Sequence, residues 1–338
     1  MDTWTQQPLA RFITDQFRAD YDAYDEPMKL AIREIGVRNM LIEQRLYTLL
    51  TKLHEKQIQP IVMKGCHLIH AVYPFGVRPV EDIDIVLDRK HFAAANKILN
   101  DLGYEQHATS MDIWTHIEVS NKLTYWNQSP PLIPIDIHYT LGPYPYLGRI
   151  PLQALFDHSE PLSTDKISYL VLKPEMLLVH LCLHLFQHHD EHWQVSASDL
   201  STLTTLWEHN IDWERFIHIV ETYSLQLPVH YSLKKAAQFA AIHIPVNRLE
   251  AIASLPSSRK ELRIFQASLI ASEGMEKYII QFMTLPGMIR KLKCLKRIAF
   301  PSKVFLRKYY NGNYLKYLTD ISLRAIRTLR RHPSADQQ

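Results

Sequence analysis

Two aspartates separated by a single residue are the first candidates for chemistry in this chain. Asp82 and Asp84 flank Ile83 in a run that continues as Ile85-Val86-Leu87. Alternate residues of a strand point to the same face, so both carboxylates are expected to reach one cation. A divalent ion would relieve their repulsion, neutralise phosphate charge and orient a nucleophile. Oxygen ligands favour Mg²⁺ or Mn²⁺, although such pairs also occur at solvated strand starts.

A strand, a glycine turn and a helix precede this pair. Residues 61–63 form a short apolar run before Gly65, and residues 66–72 return to helical spacing, which is typical of a strand followed by a helix. The N–H groups at the start of such a helix and the amine of Lys64 could hold a triphosphate. The alternatives are an exposed lysine at a strand end and a plain turn. The neighbouring aspartate pair favours phosphate binding.

A third acid follows on a later predicted strand, in Ile135-Asp136-Ile137-His138. Asp136 and His138 stand two residues apart and therefore share one face. His138 could lie beside the metal site as a base or an acceptor contact, or it could form a hydrogen bond within the sheet. The sequence leaves both interpretations open.

The order of these motifs resembles that of the DNA polymerase β-type nucleotidyltransferases, and in particular the uncharacterised nucleotidyltransferase family of that superfamily. The resemblance extends from about residue 60 to 310. Its motifs are short, but their order and spacing are specific. They are Met63-Lys64-Gly65, Tyr73-Pro74, Arg78 four residues before Asp82-Ile83-Asp84, Leu102-Gly103-Tyr104, Ile135-Asp136-Ile137-His138-Tyr139, Pro174-Glu175, Ser198-Asp199-Leu200 and Phe300-Pro301-Ser302.

The resemblance implies transfer of a nucleotidyl group from an NTP to an acceptor, with Mg²⁺ or Mn²⁺ as cofactor. It also implies roles for individual residues: Asp82, Asp84 and Asp136 as catalytic metal ligands, His138 beside them, and Lys64, Gly65, Cys66 and Arg78 as contacts of the nucleotide. The wider superfamily usually has Gly-Ser at the turn where this chain has Gly65-Cys66. A phosphate-binding hydroxyl is therefore missing, which leaves the type of donor open.

The acceptor is not identified by the sequence and could be a small molecule, a peptide, a protein or RNA, with nucleic acid not favoured. Relatives of this family are found near genes for ribosomal peptide natural products. The chain could therefore be a tailoring transferase for a modified peptide that uses an activated sugar or another phosphate-linked donor. A third alternative is a non-catalytic nucleotide-binding or interaction module, which the presence of all three acids argues against.

The elements around these motifs predict an α+β protein. The chain has 338 residues, 46% of them hydrophobic and 22% charged, enough for a sizeable core and more than one domain. We expect N-terminal helices packing on the core in residues 1–58 and a nucleotidyltransferase core with a small mixed β-sheet in residues 59–170. Within that core, the segments 113–119, 122–126 and 133–140 are rich in β-branched and aromatic residues and predict antiparallel strands. Helical spacing then dominates, which predicts an all-helical domain with a basic C-terminal segment in residues 171–338.

The compartment follows from what the sequence lacks. Met1 to Pro8 carries one acid and polar residues where a signal peptide would have a basic start and then an apolar stretch. No apolar run is long enough to predict a transmembrane segment. Cys66, Cys182 and Cys294 are too scattered for a disulfide framework or a paired-cysteine metal site. We therefore predict a cytoplasmic location.

Two further features remain open. His180, His184 and His188 repeat on one predicted helix face; no acid or cysteine completes a recognised zinc spacing, so a role in lining the cleft with Asp199 is favoured over zinc binding. From Lys277 to Thr319 the chain has no acid and ten Lys or Arg residues. This basic face is interpreted first as solvated, with an acidic acceptor, RNA or an anionic membrane as alternatives.

Overall fold

The computed structural model describes residues 24–73, 76–107, 121–142, 145–164, 166–188, 193–206, 210–239, 244–270, 282–285 and 287–331. The chain divides into two compact units. Unit 1 comprises Met1–Gln106 and Asn121–Ser257, and unit 2 comprises His107–Ser120 and Ser258–Gln338. The three segments expected from the sequence stay a prediction, since these units divide the chain by its contacts and not by its motifs.

Unit 1 is built on a mixed seven-stranded sheet with the strand order β3-β4-β5-β2-β1-β7-β6. The pairs β2–β5 and β1–β7 are parallel, and the other neighbours are antiparallel. The strands are β1 (Ile61–Met63), β2 (Ile83–Val86), β3 (Tyr104–Gln106), β4 (Lys122–Asn127), β5 (Ile135–His138), β6 (Ser159–Ser163) and β7 (Ser168–Leu172). Every residue of β1, β2 and β5 is buried, as expected for central strands covered on both faces.

Unit 1 also contains most of the described helices. They are α1 (Glu26–His54), α2 (Lys64–Ala71), α3 (Phe92–Asp101), α4 (Leu152–Asp157), α5 (Pro174–Gln187), α6 (Trp193–Leu206), α7 (Trp213–Thr222), α8 (Gln226–Phe239) and α9 (Val246–Ser254). A one-turn 3₁₀ helix, Arg89–His91, precedes α3.

The starts of α1 and α5 follow from their first residues. The Asp25 side chain accepts a hydrogen bond from the Met28 N–H at the start of α1, which caps the helix. Helix α5 begins at Pro174, whose fixed φ suits the first turn. It is buried around almost its whole circumference because α6, α7 and α8 all pack against it. Polar side chains on α5 are therefore held inside the protein.

Unit 2 contains α10 (Arg259–Ile270), α11 (Met288–Ala299), α12 (Lys303–Tyr310) and α13 (Tyr314–Arg331). Ser302 caps α12 by accepting a hydrogen bond from the Phe305 N–H. Asn311 ends it in the left-handed region at φ 51°, which asparagine adopts more readily than most residues. None of the helices that the structure describes combines the length and apolarity needed to cross a bilayer.

The predicted α+β class with a mixed sheet is confirmed. The strands expected near Lys122–Trp126 and Ile133–Thr140 are present as β4 and β5. The strand expected at 113–119 lies outside the described residues. The N-terminal helices are represented by α1 alone in the described part. The hairpin β6–β7 was not predicted, because Glu160 and Pro161 interrupt the apolar pattern of β6, a half-exposed edge strand.

Candidate active site

The register of two parallel strands brings the predicted acids together. Asp84 on β2 lies opposite Asp136 on β5, and His138 lies two residues further along β5. Side chains two apart on a strand share a face, so all three point to one side of the sheet. Each is buried. One ligand atom from each of Asp84, Asp136 and His138 lies within 4.8 Å of the other two.

Asp84 is the centre of this group. Its Oδ1 atom accepts a hydrogen bond from Lys64 Nζ at 2.6 Å and lies 2.7 Å from His138 Nε2. Its Oδ2 atom is buried and accepts no hydrogen bond from any described residue. A buried carboxylate oxygen without a partner is costly. The site therefore has a ligand position that the described protein atoms do not fill.

Asp136 is held by residues that the sequence analysis did not identify. Thr124 Oγ1 donates a hydrogen bond to Asp136 Oδ1 at 2.6 Å, and Lys122 Nζ forms an ion pair with Oδ2. Thr124 lies opposite Asp136 in the β4–β5 register, and Lys122 lies opposite His138. Lys122 and Thr124 alternate with Leu123 and Tyr125, which predicts that Lys122 and Thr124 lie on one strand face. Only the pairing of β4 with β5 shows that they meet Asp136.

Charges in the group fix its protonation. Burial alone would raise the pKa of Asp84, but the Lys64 ammonium and the hydrogen bond with His138 hold that pKa well below its usual range. Burial opposes the charge on Lys64, yet Asp84 and Asp82 raise the pKa of its amine. Burial lowers the pKa of His138, and Lys64 adds to this effect. The site at neutral pH is thus an ionised Asp84, a charged Lys64 and a neutral imidazole.

Asp82 lies just before β2 and is half-buried. It is not part of the Asp84–Asp136–His138 group, but it lines the same cavity. Burial and the neighbouring Asp84 carboxylate raise its pKa to about 7. A cation near both carboxylates would relieve this repulsion.

Lys64, Gly65 and Cys66 form the first turn of α2, directly after β1, so the separate glycine turn expected between strand and helix is wrong. Lys64 adopts φ 48° directly after β1, a conformation that costs energy for a residue other than glycine and is common at functional sites. A Cβ atom on Gly65 would lie 2.7 Å from Arg78 Nη1 and 2.9 Å from Val80 Cγ1, so only glycine fits without displacement. The Cys66 thiol is buried, with Sγ 3.7 Å from the Asp82 carbonyl oxygen. Burial raises its pKa well above the usual range.

Arg78 forms a second buried charge network with α6. Its Nε and Nη2 atoms donate hydrogen bonds to Oδ1 and Oδ2 of Asp199 at 2.7 and 2.8 Å, which is a bidentate pair. Tyr73 Oη donates to Asp199 Oδ1 at 2.9 Å, and Asn39 Nδ2 donates to the Arg78 carbonyl oxygen at 2.8 Å. The Asp199 partner was not predicted, because the two residues are 121 positions apart. The predicted contact between Arg78 and a phosphate stays a prediction. In this structure the Arg78 guanidinium binds Asp199.

These residues open onto one cavity of about 320 Å³ within unit 1. The cavity is lined from the sheet side by Lys64, Gly65, Arg78, Asp82, Lys122 and His138. It is lined from the other side by His180 and His184 of α5, by His188 just after α5, and by Ser196 and Asp199 of α6. The cavity is of the size that small ligands occupy. All the predicted site residues except the buried Cys66, Asp84 and Asp136 side chains therefore meet at its wall.

The histidines of α5 differ in their hydrogen bonding. His184 Nδ1 lies 2.8 Å from Ser196 Oγ. His180, which is buried, has no hydrogen-bond partner for either ring nitrogen in the described part of the chain. Burial and the nearby Lys64 lower the pKa of His180 to about 3, so its ring is neutral. Within the described ranges no three-residue metal group includes these histidines; His189 and His192 lie outside those ranges.

Comparison with known proteins identifies the kind of chain that carries this site. A family model described as an uncharacterised nucleotidyltransferase matches residues 17–241. Among solved structures, an antigenic nucleotidyltransferase-like protein from Paracoccidioides brasiliensis is similar at 13% identity and a TM-score of 0.39, over 66% of this chain and 96% of that one. JHP933 from Helicobacter pylori is similar at 12% identity and a TM-score of 0.32, over 76% and 97%. No curated protein sequence matches the chain.

Proposed function

Because the chain belongs to the uncharacterised nucleotidyltransferase family, we propose that it transfers a nucleotidyl group from a nucleoside triphosphate to an acceptor in a reaction that depends on a divalent ion. The observation that carries this proposal is the buried Asp84–Asp136–His138 group, in which Asp84 Oδ2 has no partner among the described residues. In a purely structural ion-pair network, we would expect that oxygen to accept a hydrogen bond.

The donor set fits a hard divalent cation. Asp84 and Asp136 would hold Mg²⁺ or Mn²⁺ through carboxylate oxygens, with Asp82 as the third acid at the cavity wall. When bound, such an ion neutralises phosphate charge and helps to orient the nucleophile. His138 is close enough to serve either as a ligand or as the group that orients Asp84 through its 2.7 Å contact.

Lys64 supports the same chemistry through its contact with Asp84 Oδ1. Its raised pKa keeps the amine charged, and its side chain both pairs with Asp84 and lines the cavity. A phosphate entering the cavity would offer this ammonium a second anionic partner. The N–H groups at the start of α2, next to Gly65, would bind phosphate oxygens in the manner typical of helix N-termini.

The histidine-rich face of α5 would contribute to the acceptor side of the cavity. His180 and His184 are neutral because burial lowers the pKa of each. Neutral imidazoles offer one hydrogen-bond donor and one acceptor, which suits recognition of a polar ligand and not of a phosphate charge. The acceptor is unidentified, and a modified peptide or a small molecule is favoured over nucleic acid. The predicted cytoplasmic location is part of this proposal.

Calorimetry with Mg²⁺ and each of the four common NTPs tests the proposal. Asp82→Ala with Asp84→Ala should lower affinity for at least one Mg–NTP by about 100-fold or more, because the metal ligands are removed. Asp101→Ala removes an exposed carboxylate of unit 1 and should change nothing. Unchanged affinity in the double variant would reject the metal role.

The donor is a separate question. Cys66 stands where the superfamily usually has serine, and its thiol is buried towards the Asp82 carbonyl oxygen, so it offers no hydroxyl to a phosphate. This favours, as a second candidate, a tailoring transferase that uses an activated sugar or another phosphate-linked donor. Intact-mass detection of products from a donor screen distinguishes the two by the mass added to the acceptor. Ligand binding without any mass added would favour the non-catalytic module.

A further inference from the structure

Helix α11 in unit 2 exposes an apolar stripe that a globular protein would normally bury. Met288, Leu292 and Leu295 follow the spacing i, i+4, i+7, which places them on one helix face. Their side chains are 70%, 58% and 48% exposed. Phe300, which follows the helix, and Val304 on α12 are also exposed. The apolar surface therefore continues past the end of α11.

The packing of α11 is already provided by a different face. Cys294 is buried, and Ile298, one turn later, accepts a hydrogen bond from Tyr317 Oη of α13 through its carbonyl oxygen at 2.6 Å. Cys294 therefore marks the buried side of α11, and the hydrogen bond from Tyr317 ties the end of the helix to α13. The stripe points elsewhere, so it is not needed to hold the helix in place.

The charges beside the stripe are all of one sign. Helix α11 carries Arg290, Lys291, Lys293, Lys296 and Arg297 and no acid, and the acid-free sequence extends from Lys277 to Thr319. Lys296 is exposed beside the stripe, and Lys303 is exposed at the start of α12. A partner that covers this surface must accept apolar side chains at its centre and cations at its edge.

We propose that the stripe of α11, with Phe300 and Val304, is a docking surface for an anionic phospholipid bilayer. An amphipathic helix lying in a bilayer interface inserts its apolar face among the acyl chains, while lysine and arginine reach the anionic headgroups. The helix is about 18 Å long, so it would lie along the interface and would not span the membrane.

Charge argues against the other occupants. A second copy of the same surface would place cations against cations. A nucleic acid would be attracted by the lysines, but its backbone offers nothing to the exposed Met288, Leu292 and Leu295 side chains. A bilayer satisfies both parts of the surface, and its fluid interior does not require a matching pocket.

Co-sedimentation of the full chain with vesicles tests the proposal. One set is phosphatidylcholine alone; in the other, about a third of it is replaced by phosphatidylglycerol. We expect binding to the anionic vesicles that weakens as salt rises. Leu292→Ser with Leu295→Ser, and separately Lys296→Glu with Lys303→Glu, should each lower the partition coefficient by at least about tenfold. All four positions are exposed, so the fold should be kept.

Two control variants match these changes on unit 1. Val37→Ser with Met40→Ser removes exposed apolar side chains of α1, and Lys90→Glu with Lys97→Glu reverses two exposed charges. Both should bind like the wild type. Equal binding to the two vesicle types, no binding, or the same loss in the controls would overturn the proposal. A dimer that Leu292→Ser with Leu295→Ser abolishes would also overturn it. The same holds if the chain binds an RNA oligonucleotide or poly-glutamate but does not bind vesicles.

Discussion

The two buried charge networks beside one cavity differ in how completely the carboxylates of Asp199 and Asp84 are satisfied. Both oxygens of Asp199 accept hydrogen bonds from Arg78, and one accepts a further bond from Tyr73. In the other network Asp84 engages Lys64 and His138 through one oxygen and leaves the second without a described partner. A complete network suits a fixed support, and an incomplete one suits a ligand site. We therefore propose that the first network is a structural support and that the second binds the metal ion.

Removing Asp199 should cause the largest loss of stability. Asp199→Ala leaves the buried Arg78 charge uncompensated, which is expected to cost about 3–5 kcal/mol. Chemical denaturation of the purified chain measures this loss. Arg78→Met with Asp199→Leu replaces the whole pair with apolar side chains and should recover at least about half of it. If the double variant were as unstable as Asp199→Ala, the bidentate pair would not be the source of the effect.

A smaller loss is expected at the glycine where the two networks meet. Gly65→Ala places a Cβ atom against Arg78 Nη1 and Val80 Cγ1, with an expected cost of about 1–3 kcal/mol. The same substitution in an Arg78→Met background should cost less, since the guanidinium is absent.

Gly103→Ala is the control for this coupling. Nothing lies within 4 Å of its added Cβ, but its φ of +80° disfavours alanine, so it should cost the same amount in both backgrounds. A Gly65→Ala loss that does not depend on Arg78 would show that the two networks are not in contact through this turn.

The smallest effect is expected from the unsatisfied histidine of α5. His180→Leu removes a buried imidazole without described partners and should raise the stability of the ligand-free protein by about 1 kcal/mol. His184→Leu, one turn away, removes the hydrogen-bond partner of Ser196 and should lower the stability of the ligand-free protein. Thermal unfolding compares the two variants; a lower melting temperature in both would mean that His180 has a structural partner.

The pH dependence of the His180 effect has a definite sign. Folding lowers the pKa of His180 from 6.5 to about 3, so the unfolded chain binds more protons between these values and acid destabilises the fold. The advantage of His180→Leu over the wild type should therefore grow as pH falls from 6.5 towards 3. An advantage that stays constant over this window would exclude a buried, neutral ring.

The site was predictable from the sequence to the extent that it depends on strand alternation. Asp84, Asp136 and His138 were placed by period-two spacing within short apolar runs. Gly65 was expected in a turn before the helix, but the helix begins at Lys64 and includes it. Lys122, Thr124 and Asp199 were not identified as partners, because their contacts depend on pairing and packing between distant segments. The β6–β7 hairpin escaped detection because its polar edge strand lacks a hydrophobic pattern.

Binding of Mn²⁺ alone, followed by electron paramagnetic resonance, tests the central claim most directly. The account predicts that Asp84→Asn weakens Mn²⁺ binding by about tenfold to 100-fold. It also predicts that Arg78→Met with Asp199→Leu binds Mn²⁺ like the wild type, since that network contributes support and no ligand. Retention of Mn²⁺ by Asp84→Asn, or its loss only when the Arg78–Asp199 pair is replaced, would contradict the assignment.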